Sequence, residues 1–330
     1  MHRGGGMLNR KFKLVLINIF VLILLLVNLD FCAYKIFKSE CNNYVKKQLD
    51  FGNSVIDKNI VEKEVKYGKT IFFDYEKTVD RTRSRVHKGF AKRPIITIGC
   101  SYTEGAFLAE NQTFAYKLNK LTNRTTYNRG IGSTGPQMVY RQLSDKNFKN
   151  EIPDAEYVIY TFIRDHLKRM FLSTLTPWHN YVGLNYRLKN GNLVERKEFW
   201  QLFHSSFLVR KYLVTKEYLE YKEECEQNFP LFLKTVQESV NAMHNLYPNS
   251  KFVLVDVPET YYTDEEFEKN KLPKSVVSEL EKMGVIYIDA EDLVGHKFRD
   301  ADKYHVDDKQ HPNELFWDEL TPALVKKLNL

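Results

Sequence analysis

Short runs of apolar, β-branched residues alternate along the chain with stretches that have the apolar spacing of helices. The strand-like runs cover residues 95–98, 126–128, 157–163, 252–257 and 285–289. The helix-like stretches cover residues 113–121, 137–143, 231–246 and 314–328. Nearly continuous apolar strands that alternate with helices are typical of a mainly parallel sheet with both faces covered. The pattern therefore predicts an α/β domain.

The interval 168–226 does not fit a simple crossover between two such strands. Asn190 and Gly191 lie between alternating residues, which is a strong hairpin signal. An aromatic helical stretch follows, with Phe199, Trp200, Phe203, Phe207 and Tyr212. We predict an insertion here, and the sequence leaves open whether it forms a substrate platform or a decoration with its own small core.

The N-terminal region contains one long apolar segment, residues 14–34, in which Asp30 is the only charged residue. About 20 such residues match the thickness of a bilayer, and no small-residue cleavage site follows. Basic residues precede the segment at Arg3, Arg10, Lys11 and Lys13. Positive residues favour the cytoplasmic side. We therefore predict a single-pass membrane protein with a cytoplasmic tail (1–13), an anchor (14–34), a juxtamembrane stalk (35–90) and an extracytoplasmic domain (91–330).

Composition narrows the class of protein further. The chain has 330 residues, 43% hydrophobic and 28% charged, which suits a packed domain. The net charge of +7 comes from basic residues spread along the chain, so we expect no nucleic-acid partner. The cysteines show no zinc spacing, and we expect no metal and no cofactor. Cys32 and Cys41 could form a disulfide or remain free thiols.

Reactive residues of an open α/β sheet belong just beyond the carboxyl ends of its strands. Ser101 occupies such a position, because Gly99 and Cys100 follow the first apolar strand. A glycine there lets the backbone turn, and the Ser101 N–H can point at a developing oxyanion. A serine that merely caps the next helix would give the same local pattern.

A glycine-rich turn follows the second strand, at residues 128–135. Its exposed backbone N–H groups suit the stabilisation of an anion. Nucleotide binding is the rival interpretation, but the turn lacks the Walker lysine and the dinucleotide-binding pattern that nucleotide sites require.

A third polar block lies near the C-terminus, where Asp308 and His311 are three residues apart. On one turn the two side chains share a face, so the carboxylate can orient the imidazole while His311 accepts a proton from a serine. Asp302 and His305 form a similar pair, but Pro312 and a helix follow His311. We therefore favour His311.

These three blocks, in this order and at these strand ends, resemble the SGNH (GDSL-like) hydrolase superfamily over residues 94–328. The resemblance implies a flavodoxin-like three-layer α/β/α sandwich that hydrolyses or transfers esters. It further implies the following roles. Ser101 is the nucleophile, His311 the base and Asp308 its orienting residue. The oxyanion donors are the N–H groups of Ser101 and of Gly132 or Ser133.

The sequence departs from the family pattern at two positions. Cys100 replaces the usual acidic residue before the serine, and Arg164 replaces the asparagine expected after the third strand. A guanidinium can also donate to an oxyanion, so Arg164 is the predicted third donor.

The sequence thus predicts a serine esterase or acyltransferase that acts on O-acyl groups, acetyl for example, of an extracytoplasmic glycan. A lipid or other nonpolar ester is the rival substrate. The alternative function is a catalytically degenerate scaffold that binds carbohydrate or assists a membrane acyltransferase.

Overall fold

The computed structural model describes the N-terminal helix and most of the α/β domain. The described residues are 12, 15–22, 24–29, 86–132, 134–170, 186–195, 229–259, 271–298, 300–306 and 310–330. They belong to two compact units, of which the N-terminal helix represents one and the α/β domain the other.

The N-terminal helix includes residues 15–22 and 24–29, and its large apolar side chains are exposed, Phe20 by 62%. Within the described residues, we find no helical stretch whose length and hydropathy together suffice to cross a bilayer. The predicted anchor also includes residues outside the described ranges, and it stays a prediction.

The domain is built on a six-stranded sheet in the order β1-β3-β2-β4-β7-β8, and a separate hairpin pairs β5 with β6. The strands are β1 (Val86–His87), β2 (Ile95–Gly99), β3 (Thr126–Gly130), β4 (Tyr157–Phe162), β5 (Tyr186–Lys189), β6 (Asn192–Glu195), β7 (Lys251–Asp256) and β8 (Ile286–Asp289). Only β1 is antiparallel to its neighbour in the larger sheet. The remaining strands follow the flavodoxin-like order, in which the first strand lies between the second and the third.

Helices connect the strands and cover both faces of the sheet. They are α1 (Ser101–Glu104), α2 (Phe114–Thr122), α3 (Pro136–Ser144), α4 (Phe148–Glu151), α5 (Asp165–Arg169), α6 (Phe229–Leu246), α7 (Lys274–Lys282), α8 (Ala290–Val294), α9 (Ala301–Tyr304) and α10 (Glu314–Leu328). The predicted strands and the four predicted helices are present, with ends shifted by at most two residues. This confirms the α/β class and the mainly parallel sheet.

Successive side chains along each strand pack alternately into two separate hydrophobic cores, one on each face of the sheet. On β2, Ile96 and Ile98 pack into the core beneath α3 and α6. Ile95 packs into the opposite core, with Phe114 of α2 and Trp317 of α10. Successive side chains of a strand point to opposite faces, and both faces are buried against apolar cores. This explains why the strands appear in the sequence as continuous apolar runs.

The predicted hairpin is present as β5 and β6, and its turn uses Asn190 (φ 53°) and Gly191 (φ 75°). Positive φ at both central residues is the turn geometry that Asn-Gly favours. The sheet also includes β1, which falls inside the segment predicted as a stalk. The stalk helix near 41–49, the aromatic stretch 199–212 and the Cys32–Cys41 pair lie outside the described residues.

Candidate active site

Ser101 is the first residue of α1, immediately after β2, and a close approach between α1 and the sheet fixes its position. Gly99 has φ 152°, and a Cβ there would lie 2.9 Å from the backbone oxygen of Thr161. A Cβ on Gly130 of β3 would collide with the backbone N of Glu104. Glycine at both positions therefore allows α1 to pack directly on the strand ends, which places Ser101 at the carboxyl edge of the sheet.

The structure brings together the two side chains that the sequence analysis had paired across most of the chain. The Nε2 atom of His311 lies 2.9 Å from the Oγ atom of Ser101, at hydrogen-bond distance. Both residues are partly exposed. A neutral imidazole whose Nε2 lacks a proton can accept a hydrogen bond from the serine hydroxyl in this geometry. This is the arrangement of a general base and its nucleophile.

Backbone hydrogen bonds hold the loop that carries His311. The Val306 N–H donates to the His311 carbonyl at 3.0 Å, and the Asn313 N–H donates to the Tyr304 carbonyl at 2.9 Å. The Asn313 side chain then caps α10, because its Oδ1 accepts from the Phe316 N–H at 3.1 Å. The loop is therefore tied to α9 on one side and to α10 on the other.

Two aromatic rings flank the imidazole. The Phe107 ring lies edge-on at 5.1 Å between centroids, and the Tyr102 ring lies at 5.5 Å. The Tyr102 hydroxyl donates to the carbonyl of Gln310, the residue before His311. Phe107 has φ 66°, a conformation uncommon for a bulky residue. These contacts restrict the orientation of the ring, and the sequence analysis did not identify either aromatic residue.

Not every residue of the predicted site can be placed. Asp308 and Ser133 lie outside the described residues, so their roles stay predictions. The competing histidine, His305, is buried and forms a bridge with Pro312. It therefore supports the loop from within the fold, while His311 contacts the serine.

The glycine-rich turn after β3 is fastened beside Ser101. The Ile131 N–H donates to the Gly99 carbonyl at 2.8 Å, and the Thr134 hydroxyl donates to the Ile131 carbonyl at 2.8 Å. From the other side, Arg169 Nη1 donates to the Thr134 carbonyl at 2.8 Å. This turn includes Gly132, whose N–H has no hydrogen-bond partner among the residues placed in the structure. That N–H is available to an oxyanion.

Glu104 lies beside the glycine-rich turn, a position that the sequence pattern did not indicate. A Cβ built on Gly132 would lie 3.1 Å from its Oε2 atom, so the carboxylate lies against the predicted oxyanion turn. A negative charge beside a developing oxyanion opposes its formation. The signal for this residue was its spacing, since Glu104 follows Ser101 by three positions and so returns to the same side of α1.

Arg164, predicted as the third oxyanion donor, forms a buried ion pair with Asp256 at the end of β7. Its Nη2 lies 2.8 Å from Oδ2 of Asp256, and the side chains are 4% and 6% exposed. Tyr287 donates to the same oxygen. Burial raises the pKa of Asp256, and Arg164 opposes that shift. Among the described residues, Nε and Nη1 of Arg164 have no hydrogen-bond partner, and no hydrogen bond joins Arg164 to Ser101.

Two further titratable groups near the strand ends are fully buried. Cys100 packs in the core on the α2 and α10 side, and burial raises the pKa of its thiol. The Nδ1 atom of His166 lies 2.7 Å from the Tyr160 hydroxyl, and burial lowers the pKa of this imidazole well below 6.5, with Arg169 adding to the shift. Both groups are inaccessible to a substrate, which leaves the Ser101–His311 pair as the candidate reactive centre.

Comparison with known proteins gives matches to solved structures alone. No family model matches the chain, and no curated protein matches its sequence. A lipolytic protein of the G-D-S-L family from Desulfitobacterium hafniense DCB-2 is 12% identical with a TM-score of 0.41, and the match covers 71% of this chain and 99% of that one. The chain resembles GDSL-like lipolytic proteins and esterases.

Two further structures extend this resemblance. A family 3 carbohydrate esterase from Clostridium thermocellum is 12% identical with a TM-score of 0.41, over 71% of this chain and 94% of that one. A mutant of Axe2, an acetyl-xylooligosaccharide esterase from Geobacillus stearmophilus, is 11% identical with a TM-score of 0.43, over 74% and 97%.

Proposed function

We propose that the chain is a serine-dependent enzyme that hydrolyses or transfers O-acyl esters. One observation carries the proposal: the hydrogen-bond distance of 2.9 Å between Ser101 Oγ and His311 Nε2 at the carboxyl edge of the sheet. An unactivated serine hydroxyl is a weak nucleophile, and an adjacent base within hydrogen-bond reach activates it.

The proposed reaction has two steps. Ser101 Oγ attacks the ester carbonyl carbon while His311 Nε2 accepts the hydroxyl proton. The bond to the leaving alcohol then breaks, His311 returns the proton to that alcohol, and an acyl-serine remains. In the second step, water or an acceptor hydroxyl gives its proton to His311 and attacks the acyl carbon. The bond from the acyl carbon to Ser101 Oγ then breaks, and His311 returns the proton to Ser101 Oγ.

The oxyanion formed in each step needs donors. As the first residue of a helix, Ser101 has an N–H without an intrahelical partner, and the Gly132 N–H is equally available among the described contacts. We assign both to the oxyanion hole. Asp308 is the proposed partner of the imidazole, by its spacing from His311. Arg164 could contribute only through its Nε and Nη1 groups, because Nη2 is engaged by Asp256.

For the substrate we propose an O-acyl group, acetyl for example, on an extracytoplasmic glycan. The predicted N-terminal anchor supports an extracytoplasmic domain, and the aromatic residues of the interval 168–226 suit stacking on sugar rings. If this is right, an O-acetylated polysaccharide should release acetate faster than a long-chain p-nitrophenyl ester is hydrolysed at equal ester concentration. The opposite preference would indicate a lipid-like ester.

The proposed chemistry is tested by hydrolysis of p-nitrophenyl acetate by the purified chain. Ser101→Ala should lower kcat by at least about 10³, because it removes the nucleophile. Ser144→Ala is the matched control, since Ser144 is a serine of α3, outside the candidate site. Equal rates for the parent and Ser101→Ala would remove the enzyme hypothesis.

A second candidate function is a non-catalytic scaffold that binds carbohydrate or assists a membrane acyltransferase. The observation that favours it is Arg164, which takes the place of the family asparagine and is engaged with Asp256. Under this hypothesis, binding of a glycan would be unchanged by Ser101→Ala and no ester hydrolysis would depend on that residue.

A further inference from the structure

One aromatic side chain protrudes from the domain at the edge of the sheet opposite the candidate active site. Phe90 is 94% exposed, and it lies in the loop that precedes β2. The N–H groups of Phe90 and Ala91 both donate to the Asn123 carbonyl at 2.8 Å, which fastens the loop to the end of α2. Leu121, in the last turn of α2, is 52% exposed. Two large apolar side chains thus lie on neighbouring elements.

Exposed lysines lie close in sequence to these two side chains. Lys88 and Lys92 flank Phe90 in the loop, and Lys120 precedes Leu121. The two segments, residues 86–93 and 117–124, contain no acidic residue. The other basic residues in these segments are paired with carboxylates: Arg93 with Asp154, Arg124 with Glu156, Lys117 with Glu314 and Asp318, and His87 with Glu110. The Lys120 ammonium lies over the Tyr116 ring. The exposed lysines therefore give this edge a local positive potential next to an apolar tip.

Each feature alone has an ordinary explanation. Single apolar residues are common on protein surfaces, and lysines near the C-terminus of a helix interact favourably with its dipole. Neither explanation accounts for Phe90, which is almost fully exposed on a loop fixed by backbone hydrogen bonds. Exposed apolar side chains with lysines close by suit the interface of an anionic membrane, because apolar burial and attraction to anionic headgroups both favour binding there.

We propose that Phe90, Leu121, Lys88, Lys92 and Lys120 form a basal patch that docks on an anionic lipid bilayer. Phe90 and Leu121 would enter the headgroup region, and the lysines would contact the anionic headgroups. Each lysine near such a surface contributes roughly fivefold to partitioning. A few contacts of this kind bind weakly, which suits a domain that a predicted anchor already keeps near the membrane.

Docking through this patch would set the direction of the active site. β2 begins at Ile95, just after the patch, and ends at Gly99, just before Ser101. A strand of this length separates the two by about 16 Å. Ser101 therefore opens away from the bilayer, so a docked domain would act on esters outside the membrane. The docking itself does not depend on the proposed chemistry.

Fluorescence quenching by lipids with brominated acyl chains tests the docking. The full chain carrying Phe90→Trp is reconstituted into vesicles of phosphatidylcholine, with or without phosphatidylglycerol. The control is Leu188→Trp, on the exposed hairpin strand β5. The emission of the parent, which contains Trp178, Trp200 and Trp317, is subtracted. We expect the emission of the introduced tryptophan at position 90 to fall by about half in the anionic vesicles, because the side chain lies near the acyl boundary.

The control position should be quenched far less, and Lys88→Glu with Lys92→Glu should abolish the quenching at position 90. Equal quenching at the two positions would overturn the proposal, as would quenching at position 90 that does not require anionic lipid.

Discussion

Two polar pairs lie at the carboxyl ends of the strands, and they differ in burial and charge. Ser101 and His311 are partly exposed and meet through one hydrogen bond between groups that can both be neutral. Arg164 and Asp256 are 4% and 6% exposed and form an ion pair. The first pair can contact a substrate without losing its partner. The second is enclosed by protein, and breaking it leaves a buried charge.

This difference separates residues that the family pattern treats alike. The sequence pattern predicted a site residue at both Ser101 and Arg164, because each follows a strand of the same sheet and Arg164 replaces the asparagine that the pattern expects there. The structure places the His311 imidazole beside Ser101 and the Asp256 carboxylate beside Arg164. We therefore expect changes in the first pair to affect the reaction rate and changes in the second to affect the free energy of unfolding.

The largest expected effect is on the first pair. His311→Ala should lower kcat for p-nitrophenyl acetate by at least about 10³, since it removes the base. The free energy of unfolding should change by less than about 1 kcal/mol, as for most substitutions of partly exposed residues. Steady-state kinetics and urea unfolding measure the two quantities, and His296→Ala, an exposed histidine paired with Glu319, is the control. A strong loss of unfolding free energy in His311→Ala would contradict the expectation that this pair affects the reaction rate and not the stability.

The second pair should show the reverse. Asp256→Ala should lower the free energy of unfolding by about 3–5 kcal/mol, because it leaves the Arg164 guanidinium buried without a counter-charge. Arg164→Met combined with Asp256→Leu should recover most of that loss, since an apolar pair of similar size carries no such cost. Urea unfolding of the three proteins measures the effect.

The same double variant tests whether Arg164 takes part in the reaction. Because Nη2 is held by Asp256 and no described contact reaches Ser101, kcat should stay within about tenfold of the parent. A loss of about 10²–10³ in a folded double variant would instead identify Arg164 as an oxyanion donor, as the sequence pattern predicted.

A smaller effect is expected at the oxyanion turn. Gly132→Ala should lower kcat by about tenfold, because its Cβ would lie 3.1 Å from Glu104 Oε2 and displace the turn. Glu104→Ala should make room for that methyl group, so adding Gly132→Ala to Glu104→Ala should cost only a few-fold. Equal losses in both backgrounds would show that the two residues act independently.

The smallest effect concerns the buried His166. Its pKa in the folded protein is lowered well below 6.5, chiefly by burial. The unfolded chain therefore binds more protons below pH 6.5, and the free energy of unfolding falls as the pH falls, by at most about 1.4 kcal/mol per pH unit. His166→Phe should flatten this dependence between pH 6.5 and 5, measured by urea unfolding. An unchanged slope would assign the dependence to other groups, such as His87, whose pKa is also lowered by burial.

Local pattern predicted much of the fold and the central pair, but it did not predict what surrounds them. Apolar runs predicted the strands, and the position just after a strand predicted Ser101. Both predictions depend only on residues that are neighbours in the sequence. Asp256 follows Arg164 by 92 positions, and only the adjacency of β4 and β7 brings the two together. Phe107 and Tyr102 are likewise far from His311 in sequence, and only the fold brings their rings against the imidazole. Short helices such as α1 and α5 were missed because four or five residues show no period.

The most direct test of the account is the reaction of the folded chain with a fluorophosphonate, followed by peptide mapping. Such a reagent labels a serine that a neighbouring base activates. We expect covalent labelling at Ser101 and loss of that labelling in His311→Ala, with Arg164→Met/Asp256→Leu labelled like the parent. Labelling of another serine, or labelling of Ser101 at the same rate without His311, would contradict the claim that these two side chains form one reactive centre.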